Sequence, residues 1–340
     1  MSAAKRVTIA DIAREAGVSP GAVSFALNGR PGVSEETRQR ILAVAERHSW
    51  QPSSTARALV GARAGVIGLA VNRPPRTLGA EAFFTDLIAG IESALEATAL
   101  GLNLRIVRSI DDEVGTYRQW DSNHQVDGVI VLDPREDDPR LAELAERGMK
   151  AVVIGSRPAE PGAASTVWLD DEAVAHTLFE YLAAVGHRKI GYVTGAAELL
   201  HTRLRVGALE SLSDRGVAAQ VIATDTSPAQ SADATRQLLS RLDPPTAIVY
   251  DNDVMAVSAI RVAEEMAITV PEDVSIASFD DSVVAGLVRP SITCLTRDTF
   301  ELGEAAAKLL LAQIDSDEPL PSVRGPQPRL TVRESTAAVR

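Results

Sequence analysis

Short apolar segments alternate with amphipathic helical segments from Val66 almost to the end of the chain. A first set of predicted strands comprises VIGLAV (66–71), LNLRIV (102–107), DGVIVL (127–132) and AVVIG (151–155). A second set comprises TVWL (166–169), KIGYV (189–193), AQVIA (219–223), AIVY (247–250) and VSIASF (274–279), followed by a last strand, LTV (330–332). Apolar runs separated by helices are typical of parallel strands covered on both faces. The pattern predicts an α/β core of two lobes, each a doubly wound parallel sheet.

The residues before Val66 predict a separate all-α unit. Thr8 is a candidate N-cap of a first helix, which ends at Gly17. Ser19 is a candidate N-cap of a second helix with Pro20 at its first position, and Ser34 begins a third. Two helices joined by a three-residue turn with a glycine form a helix-turn-helix pattern.

Charge is distributed unevenly along the chain. Residues 1–63 contain nine Lys or Arg and five Asp or Glu, whereas the whole chain of 340 residues has a net charge of −12. We therefore expect only the N-terminal unit to meet phosphate groups. No apolar run approaches a membrane span, no signal peptide is evident and Cys294 is the single cysteine. These features predict a cytoplasmic protein without a membrane partner.

The first sixty residues contain a recognisable motif. VTIADIAREAGVSPGAVSFALNGRPGVSEETRQRILAVAERHSWQPSSTARAL resembles the headpiece and hinge of the LacI/GalR family. Later segments resemble that family in the same order: Phe83-Phe84, GHRKIGYV (186–193), DNDVMA (251–256) and SIASFDD (275–281). The resemblance implies a transcriptional regulator that acts as a repressor and is controlled by a small-molecule effector. It also implies a helix-turn-helix headpiece and a core like that of periplasmic binding proteins.

The resemblance also implies a domain organisation. Residues 1–52 would form the headpiece, 53–64 the hinge helix and linker, and 65–340 the effector-binding and dimerisation core. Lobe 1 would comprise about 65–162 and 292–316, and lobe 2 about 163–290 and 318–336. The chain would cross between the lobes near 162–164, 290–292 and 316–320. A homodimer would place two headpieces on double-stranded operator DNA with a near-palindromic sequence.

The second helix is expected to enter the major groove. By position, the base-reading residues of the family correspond to Pro20, Gly21 and Phe25. The family commonly has an arginine where this chain has Phe25, and arginine is suited to guanine. We hypothesise that Phe25 instead contacts a thymine methyl group, and the alternative is that it merely packs on the headpiece.

Small polar side chains are suited to phosphate oxygens, and such contacts position a protein on DNA. The candidates are Thr8, Ser19, Ser24, Asn28, Ser34 and Thr37. In the hinge, Leu59 matches the leucine that the family inserts into the minor groove, and Ala56 matches the residue facing the partner hinge helix. An ordinary linker is the alternative interpretation of the hinge.

The effector is expected between the lobes. Asp280 and Asn252 follow predicted strands and match ligand-binding positions of the family. Phe83 and Phe84 are candidate stacking surfaces, and Trp168 is either a further one or a core residue. Gly207 has Leu204 at the spacing where the family has its ligand-binding arginine, so we favour the neighbouring Arg205 over Arg203 for that role. Such groups suit a sugar, and a nucleobase or nucleoside is the alternative.

Two other classes of protein are less consistent with the sequence. An enzyme on α/β lobes would be expected to carry a phosphate-binding loop, a nucleophile elbow or a dinucleotide fingerprint, and we find none. We therefore expect no catalytic residues, no cofactor and no metal site. A solute-binding protein for transport would fit the core but not the headpiece.

Overall fold

The computed structural model describes residues 7–27, 31–48, 50, 63–156 and 164–339. By its internal contacts the chain divides into two compact units, residues 1–64 and 65–340. None of the described helices is long and apolar enough to cross a membrane.

The headpiece contains three helices: α1 (Ile9–Ala16), α2 (Pro20–Leu27) and α3 (Glu35–Arg47). All three predicted caps are confirmed. Thr8 forms a capping box with Asp11, Ser19 Oγ accepts from the Ala22 amide at 3.2 Å, and Ser34 Oγ accepts from the Thr37 amide at 3.3 Å. The helices bury a small apolar core between them. This core fixes which face of α2 remains exposed.

The second unit alternates strands and helices. Its first part contains β1 (Val66–Asn72), α4 (Pro75–Leu78), α5 (Ala82–Leu95), β2 (Gly101–Val107), α6 (Ile110–Ser122), β3 (Gly128–Val131), α7 (Pro139–Glu146), β4 (Ala151–Ser156) and β5 (Ser165–Leu169). The next part contains α8 (Asp171–Ala184), β6 (Lys189–Thr194), α9 (Leu200–Glu210), β7 (Ala218–Ala223), α10 (Pro228–Leu239), β8 (Ala247–Tyr250), α11 (Asp253–Glu265), β9 (Ser275–Ser278), α12 (Val283–Leu287) and β10 (Thr293–Thr296). The last part contains α13 (Thr299–Ile314), β11 (Val323–Arg324) and β12 (Arg329–Thr331).

The strands form two six-stranded sheets, one for each lobe. Their orders are β11-β5-β4-β3-β1-β2 in lobe 1 and β12-β10-β9-β8-β6-β7 in lobe 2. Every pairing is parallel except that of β10 with β12. The predicted fold class is confirmed, because each lobe is a largely parallel sheet covered by helices.

The predicted lobe crossings are wrong in position. β5 pairs with β4, Val152 opposite Ser165, so it belongs to lobe 1 and the first crossing falls at Asp170 and not at 162–164. β10 pairs with β9 and β12, so the chain leaves lobe 2 after Thr296 and not at 290–292. The third crossing follows β11, which pairs with β5. Strand pairing, which local sequence does not encode, decides each boundary.

α13 returns to lobe 1 and packs closely on α5. A Cβ atom at Gly90 would lie 2.0 Å from the Phe300 carbonyl oxygen, and one at Gly303 would lie 2.2 Å from that of Leu87. The two glycines therefore allow the helix backbones to touch. This contact holds the third segment of the chain against lobe 1.

We expect Gly303→Ala to lower the free energy of unfolding by about 1–3 kcal/mol, because its methyl group would overlap a backbone carbonyl. Gly115→Ala is the matched control, since Gly115 lies in α6 with nothing within 4 Å of the added carbon. That control is expected to be neutral or stabilising by up to about 1 kcal/mol. Urea unfolding followed by circular dichroism measures both, and equal effects would contradict the close helix contact.

Candidate functional site

A cavity of about 510 Å³ lies between the two lobes, at the carboxyl ends of their parallel strands. This is where open α/β sheets usually bind ligands. Five of the six predicted effector-binding residues line it: Phe83, Phe84, Arg205, Asn252 and Asp280. They come from α5, α9 and the loops that follow β8 and β9.

Arg205 is buried in the wall of the cavity, with 5% of its surface exposed. Its Nη1 donates to Asp251 Oδ1 at 3.1 Å, and Asp171 lies 3.5 Å from Nη2. The guanidinium carbon lies 4.4 Å from the centroid of the Phe279 ring. Burial lowers the pKa of Arg205, but Tyr192, Asp251 and Asp171 outweigh this and raise it overall. Arg205 is therefore a fixed cation.

One donor of Arg205 is unused, since its Nε has no hydrogen-bond partner among the described residues. A buried donor without a partner is costly. Arg203 does not line this cavity; it is exposed and forms an ion pair with Glu136.

Asp251 was not predicted from the sequence, yet it organises this wall. Its Oδ1 accepts hydrogen bonds from the Tyr192 hydroxyl and from Arg205, and its Oδ2 accepts from the Gly195 amide. A signal was available, because an acid directly after the buried strand AIVY is expected at the cleft.

Two further arginines are paired across the cavity wall. Arg297 Nη2 donates to Asp280 Oδ1 at 2.6 Å, and its guanidinium lies 5.8 Å from the Phe83 ring centroid. Arg73 forms an ion pair with Asp133 at 2.6 Å. Asp280 therefore faces the cavity with one oxygen already occupied by a cation.

The aromatic residues differ in exposure. Phe83 is half-buried, while Phe84 is 3% exposed and belongs to the core of lobe 1. Their rings meet edge to face with centroids 5.2 Å apart. Phe83 thus offers the cavity an apolar surface, and Phe84 supports it from behind.

Both polar atoms of the Asn252 side-chain amide form hydrogen bonds with other residues of the protein. Its Oδ1 accepts from the Met255 amide at 2.8 Å and caps α11, and its Nδ2 donates to Glu81 Oε1 at 3.0 Å. Glu81 belongs to lobe 1, so this bond crosses the cleft. Glu81 was not predicted from the sequence.

His201 adds a neutral polar group to the wall. Burial, and then the nearby Arg205 guanidinium, lower the pKa of His201. A neutral imidazole both donates and accepts hydrogen bonds, as a hydroxyl group does.

Trp168 does not line the cavity, so the structure does not bring it together with the other predicted effector-binding residues. It lies on β5 in lobe 1, half-buried, with the Arg324 guanidinium 5.3 Å from its ring centroid. Because β5 pairs with β11, the ring packs against that neighbouring strand.

The exposed face of the headpiece carries most of the described DNA-binding candidates. Thr8, Ser19, Pro20, Gly21, Phe25 and Ser34 are exposed, and Ser24 and Thr37 are half-buried. Phe25 is 42% exposed, yet a Cβ at Gly32 would lie 2.9 Å from its ring. Phe25 therefore packs against Gly32 and also presents a free surface. Asn28, Ala56 and Leu59 lie outside the described residues.

The described residues include no cluster of His, Cys, Asp and Glu that could hold a metal ion. Cys294 is buried in lobe 2, and burial raises the pKa of its thiol. Neither observation adds a chemical group to the cleft.

Comparisons with known proteins match both units. The family model "Bacterial regulatory proteins, lacI family" matches residues 8–53, and "Periplasmic binding protein-like domain" matches residues 179–336. The HTH-type transcriptional repressor PurR of Escherichia coli O139:H28 is 30% identical over an alignment of 342 positions. The alignment covers 97% of this chain and 97% of that protein.

The chain belongs to the LacI family of transcriptional regulators. Solved structures of LacI-family members are similar to this chain in fold. A complex of the transcriptional regulator CelR with cellobiose is 29% identical with a TM-score of 0.72, covering 97% of this chain and 100% of that one. The lac repressor dimer bound to operator and the anti-inducer ONPF has a TM-score of 0.80 at 24% identity, covering 98% of this chain and 100% of that one, and supports the fold alone.

The ion pair of Arg205 with Asp251 allows a test of the site's construction. Asp251→Ala is expected to lower the free energy of unfolding by about 3 kcal/mol, because it leaves a buried guanidinium short of a carboxylate. Adding Arg205→Met is expected to recover part of that loss, since it removes the uncompensated charge.

Glu198→Ala is the control, because Glu198 is about half exposed and lies 3.7 Å from Arg135. Such a pair contributes about 1 kcal/mol or less. Urea unfolding would disprove the buried pair if Asp251→Ala cost no more than the control, or if Arg205→Met brought no recovery.

Proposed function

We propose that this protein is a sequence-specific transcriptional repressor that binds a near-palindromic operator as a dimer and releases it when a neutral sugar occupies the cleft. The observation that carries the ligand class is the charge of the cavity wall. Seven carboxyl groups line the cavity: Glu81, Asp133, Asp171, Glu198, Asp225, Asp251 and Asp280. Five guanidinium groups oppose them: Arg73, Arg108, Arg135, Arg205 and Arg297.

This balance favours a ligand without negative charge. Arg73, Arg205 and Arg297 are each paired with carboxylates at 2.6 to 3.1 Å, and Arg135 lies 3.7 Å from Glu198. Because the wall carries more carboxyl than guanidinium groups, a phosphate or carboxylate would meet net repulsion. A phosphorylated sugar or a nucleotide is therefore disfavoured.

A sugar fits the remaining features best. The carboxylate of Asp280 and the neutral His201 offer donors and acceptors to hydroxyl groups. Phe83 offers one apolar surface to the ring of a sugar. The cellobiose complex of CelR, a related regulator, supports the same class. A nucleobase or nucleoside is the second candidate, but of the two phenylalanines described at the wall Phe84 belongs to the core of lobe 1, which leaves Phe83 as the more accessible stacking surface.

Operator binding is assigned to the exposed face of α2. Pro20, Gly21 and Phe25 are exposed there, in line with a helix that reads base edges. The dimer is supported by apolar side chains on α12 of lobe 2. Val283 is 78% exposed and Leu287 is 73% exposed, and exposed apolar patches mark protein interfaces.

The ligand is tested by calorimetric titration with neutral mono- and disaccharides, a sugar phosphate and a purine base. We expect a neutral sugar to bind, and its phosphate ester to bind at least about tenfold more weakly. Phe83→Ala is expected to weaken sugar binding about tenfold, because it removes the apolar surface.

Trp168→Ala is the matched control, since this ring lies in the same lobe but outside the cavity. We expect unchanged sugar affinity for that variant. Tighter binding of the phosphate ester or of the purine base would contradict the assignment of a neutral sugar.

Selection of binding sites from random DNA tests how Phe25 reads the operator. We expect the selected sequences to be near-palindromes, with thymine at the base step that Phe25 faces. Phe25→Arg is expected to change that preference to guanine.

Leu42→Arg is the control, because Leu42 is 39% exposed on α3 and not on the reading helix. It adds the same charge and is expected to leave the base preference unchanged. A guanine required by the unmodified protein, or no change with Phe25→Arg, would refute the thymine contact, and single half-sites would argue against the dimer.

A further inference from the structure

Two groups of contacts join the lobes across the cleft. On one side the Leu200 amide donates to the Pro134 carbonyl at 3.0 Å, and Arg135 pairs with Leu199 in an isolated antiparallel bridge. On the other side, within the described parts of the chain, the carboxyl group of Glu81 makes the connection. Glu81 Oε1 accepts from Asn252 Nδ2 at 3.0 Å and from Thr226 Oγ1 at 3.2 Å.

The side chain of Glu81 makes this contact between the lobes and does not cap its own helix. It occupies the N-cap position of α5, but its side chain makes no capping hydrogen bond. It is only 8% exposed, because the carboxyl group points into the closed cleft. Both of its partners belong to lobe 2 and both are uncharged.

The two partners are themselves held in place. Asn252 uses its Oδ1 to cap α11, which leaves its Nδ2 free to reach Glu81. Thr226 has a φ of 64°, a left-handed conformation that is unfavourable for a β-branched residue. Strained residues of this kind persist where surrounding contacts hold them, and they cluster at functional sites.

The charged groups around Glu81 do not neutralise it. Arg73 of lobe 1 attracts its charge, but Arg73 is already paired with Asp133. Asp133 and Asp280 repel it, and Asp280 is itself paired with Arg297. Asp225 and Asp251, which stand beside Thr226 and Asn252 in the chain, also line the cavity. The burial of Glu81, opposed by Arg73 and reinforced by Asp280, raises its pKa to about 7.

We propose that Glu81 is the positioning residue that closes the cleft, and that it does so as a neutral carboxyl group holding Thr226 and Asn252 of the opposite lobe. Closure would then take up a proton. When the lobes separate, water reaches the carboxyl group, its pKa falls back towards the ordinary value of 4.5, and the proton is released.

The pKa of Glu81 is higher in the closed form than in the open form, and this difference sets the direction of the pH dependence. The closed form binds more protons than the open form between pH 4.5 and about 7. Closure is therefore favoured at the acidic end of this interval and becomes less favourable as the pH rises towards 7. The hydrogen bonds of Glu81 join residues of the protein itself, so this pH dependence does not require a particular ligand in the cavity.

The experiment measures the distance between the lobes in the ligand-free protein. Spin labels are attached to cysteines introduced at Asp86 in lobe 1 and Ala229 in lobe 2, both exposed positions. The native Cys294 is buried. Labelled protein is diluted with an excess of unlabelled protein, so that distances between subunits do not contribute, and the distance distribution is recorded from pH 5.5 to 8.5.

We expect the ratio of the short-distance to the long-distance population to fall about tenfold or more over this range. Glu81→Gln, which keeps a neutral acceptor, is expected to stay closed at every pH. Glu81→Ala, which removes the acceptor, is expected to be more open at every pH. Glu92→Gln, an exposed carboxyl group on the same helix, is the control and is expected to retain the pH dependence.

Three results would overturn the proposal. The first is a distance distribution that does not change with pH in the unmodified protein. The second is a pH dependence that survives Glu81→Gln, and the third is an unchanged closed population in Glu81→Ala. Failure of sugar binding leaves this measurement untouched, so the two proposals fail separately.

Discussion

The guanidinium group of Arg205 is buried, and the rest of the cleft is arranged around that constraint. A buried charge is costly unless carboxylates and hydrogen bonds compensate it. Asp251 and Asp171 provide the carboxylates, and the Phe279 ring covers one face of the guanidinium group. Asp251 also binds the Tyr192 hydroxyl and the Gly195 amide, so the loops after β6 and β8 are held together. One ion pair thus fixes a wall of the cavity.

The two parallel sheets explain why the wall lies where it does. In each lobe the carboxyl ends of the parallel strands face the other lobe, so the loops that follow β1 to β10 reach the cleft. Chain crossings after β5, β10 and β11 connect the lobes. A ligand between the lobes therefore contacts residues that are distant in sequence, and lobe separation changes their spacing together. Under the proposed control by a ligand, a change in lobe separation is the two-state element that allostery requires.

The sequence predicts the parts of the structure that depend on local pattern. The caps at Thr8, Ser19 and Ser34 and the alternation of strands with helices follow from short-range chemistry. Arg205, Asp280 and Phe83 were predicted by family resemblance, and the structure brings them to one cavity. Their roles towards a ligand remain predictions.

The errors concern features that depend on long-range pairing. The strand with Trp168 was assigned to lobe 2 because it opens a new run of strands, but its partner is β4 of lobe 1. α13 was not predicted as a helix, although residues 292–316 were assigned to lobe 1, and its close packing there depends on Gly90. The position of Asp251 after the strand AIVY signalled a place at the cleft, but its pairing with Arg205 depends on the fold. Glu81 carries no such signal, and only the folded chain brings it to Asn252.

In the proposed function, occupation of the cleft and operator binding are coupled. The most direct test measures the affinity of the full-length protein for the sugar selected by the cleft, with and without the selected operator fragment. Coupling requires that operator DNA weaken sugar binding by the same factor by which the sugar weakens operator binding, about 5- to 150-fold. We expect two equal factors in this range. The same sugar affinity in the presence and absence of operator would contradict it.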